Sequence, residues 1–166
     1  MSPIWPAIAL LAFVTLQRLV ELPIARANTA RLLSAGGHEV APGHYPVIVA
    51  LHASWLAALW WFAPGRPLNF AFLALFALVE VARIWVLRTL GNRWTTRIIV
   101  LPGEGLVARG PYRFVNHPNY LVVVAEIALL PLVFGLWHLA LLFSGLNAAI
   151  LTVRIGAENR ALGRRL

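Results

Sequence analysis

Apolar runs of membrane-spanning length constrain this chain more than any other feature. Residues 4–22, 45–63 and 68–90 are each close to the roughly 20 residues that cross a bilayer as a helix. A further apolar stretch, 117–153, is too long for one span. Pro131, Gly135 and the Trp137-His138 pair divide it into spans over 117–134 and 137–153. Lipid offers no partner to backbone N–H and C=O groups, so only helices and closed barrels can cross it. Barrel strands are shorter and alternate in polarity, unlike these runs. The expectation is an all-α integral membrane bundle of about five transmembrane helices, forming one domain over residues 1–166.

Composition agrees. Residues are 60 % hydrophobic and only 12 % charged, where a soluble domain is about one quarter charged. The charges are 14 Arg and 6 Glu, with no Lys, Asp or Cys. That inventory excludes a phosphate-loop lysine, a Schiff base, an aspartate dyad, a disulfide, a thiolate nucleophile and a zinc–thiolate site. A net charge of +8 could suggest nucleic acid, but the arginines fall at the flanks of the spans. Arg26 and Arg31 follow the first span. Arg88, Arg93, Arg97, Arg109 and Arg113 surround the third loop, and Arg154, Arg160, Arg164 and Arg165 occupy the tail. With five spans all of these lie on one side, and only Arg66 on the other. The positive-inside rule then makes the tail cytoplasmic and the N-terminus external. No basic region precedes the first span, and Arg18 and Glu21 interrupt its end, so it reads as a retained span and not as a cleaved signal peptide.

Five charges fall inside spans. Arg18 and Glu21 stand three apart and share a helix face, and Glu80 and Arg83 repeat that spacing. Intramembrane charges must be paired or face a polar cavity. These two sets read either as ion pairs that lock the bundle or as the wall of a polar pocket. Glu126 has no partner at helical spacing and is a candidate substrate-binding residue.

The polar stretch over residues 94–120 lies on the same side as the tail. Pro102-Gly103 and Gly110-Pro111 mark turns. Pro118 suits the first turn of a helix, which puts His117, Asn119 and Tyr120 at a helix start on the membrane boundary. Gly110-Pro111-Tyr112, His117-Pro118-Asn119-Tyr120, and then Arg154 and Glu158 together resemble the signature of the isoprenylcysteine carboxyl methyltransferase family. Two positions depart from it: Asn116 replaces an arginine before His-Pro, and Asn159 replaces a second tail glutamate. Asn28, Gly36-Gly37, Glu39, His44-Tyr45-Pro46 and His52 are similar to a bacterial branch that includes alkylpyrone O-methyltransferases, which act beside type III polyketide synthases.

The resemblance implies a bacterial inner-membrane enzyme with S-adenosylmethionine as cofactor. It implies a cytoplasmic pocket built from the loop before the fourth span and the C-terminal end. The cofactor residues it implies are Arg97, Glu104, Gly105, Leu106, Val107, Tyr112, His117, Pro118, Asn119, Tyr120 and Glu158. Arg154 and Glu158 would carry the reaction, Arg154 also holding substrate. The expected substrate is a lipophilic small molecule drawn from the membrane lipid, an alkylpyrone enol before a prenylated carboxylate, with a type III polyketide synthase as functional partner.

Physical chemistry supports parts of this directly. No Gly-x-Gly-x-x-Gly follows a strand, so a Rossmann route to the cofactor is absent. Methyl transfer from a sulfonium is an in-line displacement, in which alignment does most of the work. Glu104 and Glu158 suit a cationic cofactor with ribose hydroxyls. Arg154 offers forked donors to an oxyanion; Arg113 could do the same but reads first as a positive-inside anchor at the interface. The rival of another class is a non-catalytic membrane scaffold or small transporter, which intramembrane Arg/Glu pairs would also suit.

Overall fold

The computed structural model describes residues 3–161 and Gly163; Arg164 and Arg165 of the tail lie outside them. The chain forms an integral membrane bundle of five helices: α1 (Trp5–Ser34), α2 (Tyr45–Phe62), α3 (Phe70–Leu90), α4 (Pro118–Val133) and α5 (Trp137–Ala161). Four of these are long and apolar enough to cross a membrane. The fifth, α4, has 16 residues, about 24 Å at the α-helical rise. α3 packs most extensively against α4, and α4 against α5, whereas α1 and α2 meet only briefly.

Local chemistry sets the turns. Asn69 caps α3, its side-chain oxygen accepting from the N–H groups of Ala71 (3.1 Å) and Phe72 (3.2 Å). Between α4 and α5 the chain reverses at Gly135, whose φ of +68° is the left-handed conformation that glycine takes without penalty. Leu136 N–H donates to Pro131 O at 2.9 Å and Gly135 N–H to Leu132 O at 3.0 Å. This is a Schellman closure, with Leu136 fully buried behind it. Leu11, Leu59, Ile127, Leu130 and Phe134 form the centre of the hydrophobic core. Phe13, Leu16, Leu78, Val81 and Leu141 are exposed on the outer faces, as expected where lipid is the solvent.

Two helices run past their expected ends. α1 does not stop at residue 22 but continues through Pro23 to Ser34, so Arg26 and Arg31 are helical and not in a loop. At 30 residues it spans about 45 Å, well beyond a hydrocarbon core of ~30 Å. Its protruding end is held by Asn28, whose Nδ2 donates to Trp94 O at 2.8 Å and Gly91 O at 3.3 Å. α5 continues eight residues beyond 153, carrying Arg154 and Glu158 on regular helix. A two-residue antiparallel ladder, β1 (His38–Glu39) with β2 (Ile99–Val100), joins the segment after α1 to the loop after α3, pairing His38 with Val100 and Glu39 with Ile99.

The charges inside the bundle pair mostly across helices, with Arg18 and Glu21 also paired along α1 as their spacing suggests. Arg83 donates to Glu21 (2.5 and 2.7 Å) and through Nη1 to both oxygens of Glu126 (2.9 Å each). Arg18 reaches Glu126 at 2.7 Å and Glu21 at 3.3 Å. The expected Glu80–Arg83 pair does not form; Glu80 instead accepts from Gln17 Nε2 at 2.7 Å. Glu126 is only 2 % exposed and its carboxylate is committed to two guanidiniums. Expected as a substrate-binding carboxylate, it stands in this structure as the inner pillar of an ion network that joins α1, α3 and α4.

Candidate functional site

The arginine-rich end of the bundle holds a polar cavity of ≈ 180 Å³, walled by the loop after α3, the start of α4 and the end of α5. Each wall has a local cause. A one-turn 3-10 helix at Gly110–Arg113 turns at Gly110, where φ is +56° and a Cβ would collide with the Thr89 side chain. That turn directs Tyr112 into the cavity. Pro118 opens α4, which orients His117 and Tyr120 inward, their rings stacked at 5.3 Å.

Tyr120, Arg154 and Glu158 form one hydrogen-bonded unit. The Tyr120 hydroxyl donates to Glu158 Oε2 at 2.5 Å and accepts from Arg154 Nε at 2.9 Å. Arg154 also donates through Nη2 to Thr96 O at 2.9 Å, tying α5 to the loop. His117 Nε2 lies 3.2 Å from Asn159 Oδ1 and its Nδ1 lies 3.6 Å from Glu158 Oε2. A hydrogen bond to an ionised acceptor is one of the strong kind, and the Tyr120 hydroxyl fixes the glutamate in this way. Burial, followed by the Glu158 charge, holds the Tyr112 phenol well above its ordinary pKa, so it stays a neutral hydroxyl. Burial, followed by the Arg154 charge, lowers the pKa of His44.

Most of the expected cofactor residues converge here. Arg97, Glu104, Leu106 and Val107 of the loop border the cavity, as do Tyr112, His117, Asn119, Tyr120, Arg154 and Glu158. Gly105 and Pro118 do not. The Gly105 carbonyl faces Arg93 Nη1 at 2.9 Å, and Pro118 is buried in the helix start. Arg97 is a cavity residue whose charge is already committed: both Glu39 oxygens accept from its Nη1 (2.8 and 2.9 Å), and its guanidinium lies 4.3 Å from the centre of the Tyr45 ring. Arg93 was not anticipated. It closes the loop by pairing with Glu104 at 3.1 Å. Asn159, the departure from the expected tail, is buried and engages His117. No spacing in the sequence announces either contact.

A second cavity of ≈ 330 Å³, mostly apolar, lies deeper between the helices. Ile48, Leu56, Val123, Ile150 and Leu151 form much of its wall. Leu19, Val49 and Ala53 also border it and are exposed, so it opens sideways between α1 and α2. Trp94, Thr95, Asn119, Tyr120 and Arg154 border both cavities. The polar and apolar chambers therefore meet at the Tyr120–Arg154 contact.

This arrangement has recognisable relatives. The sequence pattern of the Isoprenylcysteine carboxyl methyltransferase (ICMT) family matches residues 72–164, which contain every residue of the Tyr120–Arg154–Glu158 unit. The chain is also 36 % identical to "Uncharacterized protein YpbQ" of Bacillus subtilis (strain 168), over 92 % of this chain and 94 % of that protein. No solved structure matches it. By its motif, its membrane bundle and the extent of that match, the chain belongs to the isoprenylcysteine carboxyl methyltransferase family, a family of membrane methyltransferases.

Proposed function

We propose that this protein transfers a methyl group from S-adenosylmethionine to an oxygen of a lipophilic acceptor at the cytoplasmic face of a bacterial inner membrane, with the arginine-rich end inside. The observation that carries the reading is the meeting of a polar chamber with an apolar, laterally open one at Tyr120 and Arg154.

The polar chamber suits the cofactor by its donor set. Glu104 and Glu158 can accept from ribose hydroxyls and offset a cationic sulfonium, and Leu101, Leu106 and Val107 offer apolar surface to a base. Bound there, S-adenosylmethionine would supply an electrophilic methyl whose C–S bond breaks as the acceptor oxygen forms the new C–O bond. The protein's own part is alignment and charge. Arg154 uses Nε and Nη2 on Tyr120 and Thr96, so its orientation is set and its remaining N–H groups can hold an anionic acceptor oxygen. The Trp94 indole N–H is buried without an acceptor among the described residues and borders the same junction. An acceptor that arrives ionised needs no general base. The enol of a 4-hydroxy-2-pyrone and a carboxylate both qualify. The enol is favoured because the N-terminal block with Asn28, Glu39, His44 and His52 resembles the alkylpyrone branch, while Asn116 and Asn159 depart from the pattern of the prenylcysteine enzymes; a type III polyketide synthase is the source that such an acceptor implies. The gap between α1 and α2 would admit its alkyl chain directly from the bilayer.

The test uses purified full-length protein in nanodiscs. Saturable binding of S-adenosylmethionine is expected, weakened at least tenfold in Glu158→Gln. Labelled methyl is expected to pass to a long-chain 4-hydroxy-6-alkyl-2-pyrone. Transfer only to a prenylcysteine would overturn the acceptor class. No saturable cofactor binding would overturn the reading and favour a scaffold.

A further inference from the structure

The deep end of the apolar cavity is not apolar. Arg18, Glu21 and Arg83 border it there together with His52 and Trp55. Its depth follows from the helices. Glu126, which holds Arg18 at 2.7 Å, stands six residues along α4 from Tyr120, about 9 Å at the α-helical rise. On α2, His52 stands seven residues from Tyr45, about 10 Å, and the Tyr45 hydroxyl is 3.3 Å from Thr96 Oγ1 at the junction. Two helices thus place the same polar patch at the same depth below the reaction centre.

The hydrogen-bonding capacity left over at that patch is specific. Arg18 gives one N–H to Glu126 and one to Glu21, while its Nε is buried with no acceptor among the described residues. The Trp55 indole N–H is likewise buried without an acceptor. Buried donors in native proteins are nearly always matched. His52 Nδ1 lies 2.8 Å from the Ile48 carbonyl. A carbonyl only accepts, so Nδ1 carries the proton and the other ring nitrogen, Nε2, presents a lone pair. Charge is already balanced by two arginines against Glu21 and Glu126, so the patch has no excess of either sign to draw an ion. The cavity lining thus carries donors without acceptors, on Arg18 and Trp55, and a lone pair on His52, a set that matches a group that both accepts and donates.

We propose that Arg18 and His52 form a second recognition subsite, which takes a neutral hydroxyl carried on the apolar part of the acceptor about 9 Å from the oxygen that is methylated. The inference rests on the proposed acceptor chamber. It narrows the substrate class to an amphiphile with two oxygen functions separated by an apolar segment. The hydroxyl accepts from the Arg18 guanidinium and donates to His52 Nε2, and discrimination follows because a substrate lacking it leaves both groups unpaired.

Two probes test this with the full chain in nanodiscs: a 4-hydroxy-6-alkyl-2-pyrone with a plain chain, and the same molecule with a chain hydroxyl about 9 Å from the enol oxygen. Binding is followed by quenching of tryptophan fluorescence, since Trp55 and Trp94 border the chamber. The hydroxylated probe is expected to bind about tenfold tighter. The ratio of the two affinities should fall to about one in His52→Leu and return in part in His52→Gln, which restores an acceptor. Equal binding of the probes by the unaltered protein, absence of binding by both, or a preference retained in His52→Leu overturns the subsite. Methyl transfer is measured in the same samples. Selective binding without transfer removes the proposed reaction and keeps the subsite, and transfer without selectivity does the reverse.

Discussion

Replacing Glu126 by leucine is the most demanding perturbation of the bundle. The substitution removes a carboxylate that accepts three short hydrogen bonds, two from Arg83 and one from Arg18. Glu21 is then left facing two guanidiniums, so one positive charge remains buried without a partner. Removing one member of a buried pair costs about 3–5 kcal/mol, because the other charge stays desolvated. For a chain of this size, that is roughly a 10 °C fall in the thermal midpoint. Combining Glu126→Leu with Arg83→Met removes one charge of each sign and leaves Arg18 with Glu21. Replacing a whole buried pair by apolar groups is close to neutral, so the double variant should melt within a few degrees of the unaltered protein. The assay is thermal unfolding in detergent followed by circular dichroism, with the three variants closing a double-mutant cycle. A single Glu126→Leu that costs less than about 1 kcal/mol would refute the account, as would a double variant whose loss equals the sum of the two single losses.

Tyr120→Phe removes the hydroxyl held between Arg154 and Glu158. Each charged group then loses a hydrogen bond of about 1.5–3 kcal/mol, so initial rates at saturating cofactor should fall at least tenfold; an unchanged rate would exclude the unit from the reaction. Gly110→Ala forces alanine into a left-handed conformation, costing about 1–2 kcal/mol, and drives its Cβ into Thr89. Its melting point should fall, and adding Thr89→Ala should recover only the part due to collision. His44 offers a pH test. Its folded pKa lies below the ordinary value, so as pH falls through about 6.5 the unfolded chain takes up a proton that the folded chain refuses. Stability is therefore lost on acidification in that window, and His44→Gln should flatten the decline in melting temperature between about pH 7 and pH 5. Parallel slopes would contradict the assignment.

The helices were readable because their length is a property of the bilayer: α2, α3 and α4 begin and end within two residues of the apolar runs. The far ends of α1 and α5 were not, because they leave the bilayer and are held by contacts with distant chain, Asn28 with Trp94 and Asn159 with His117. Of the intramembrane charges, Arg18 and Glu21 were visible as partners from their spacing, and the rest were not. A spacing of three suggested Glu80 with Arg83, whereas Arg83 turns to α1 and α4, where nothing in the local sequence points. The motif residues Tyr112, His117, Tyr120, Arg154 and Glu158 do converge on one cavity. The second chamber showed in the sequence only through Arg18, Glu21 and Arg83, for which a pocket wall was one of two readings; its apolar part, a void between helices, belongs to no single segment.

The short ladder between His38–Glu39 and Ile99–Val100 bears on how the molecule can be cut. The family pattern begins at residue 72, which invites expression of the second half alone. Yet Glu39 on that ladder holds Arg97, and Asn28 before it anchors Trp94. A fragment starting at the pattern would lose both braces of the loop that roofs the polar chamber. The first two helices are thus part of the working unit, and engineered fusions or split versions must keep them on the same chain or resupply them.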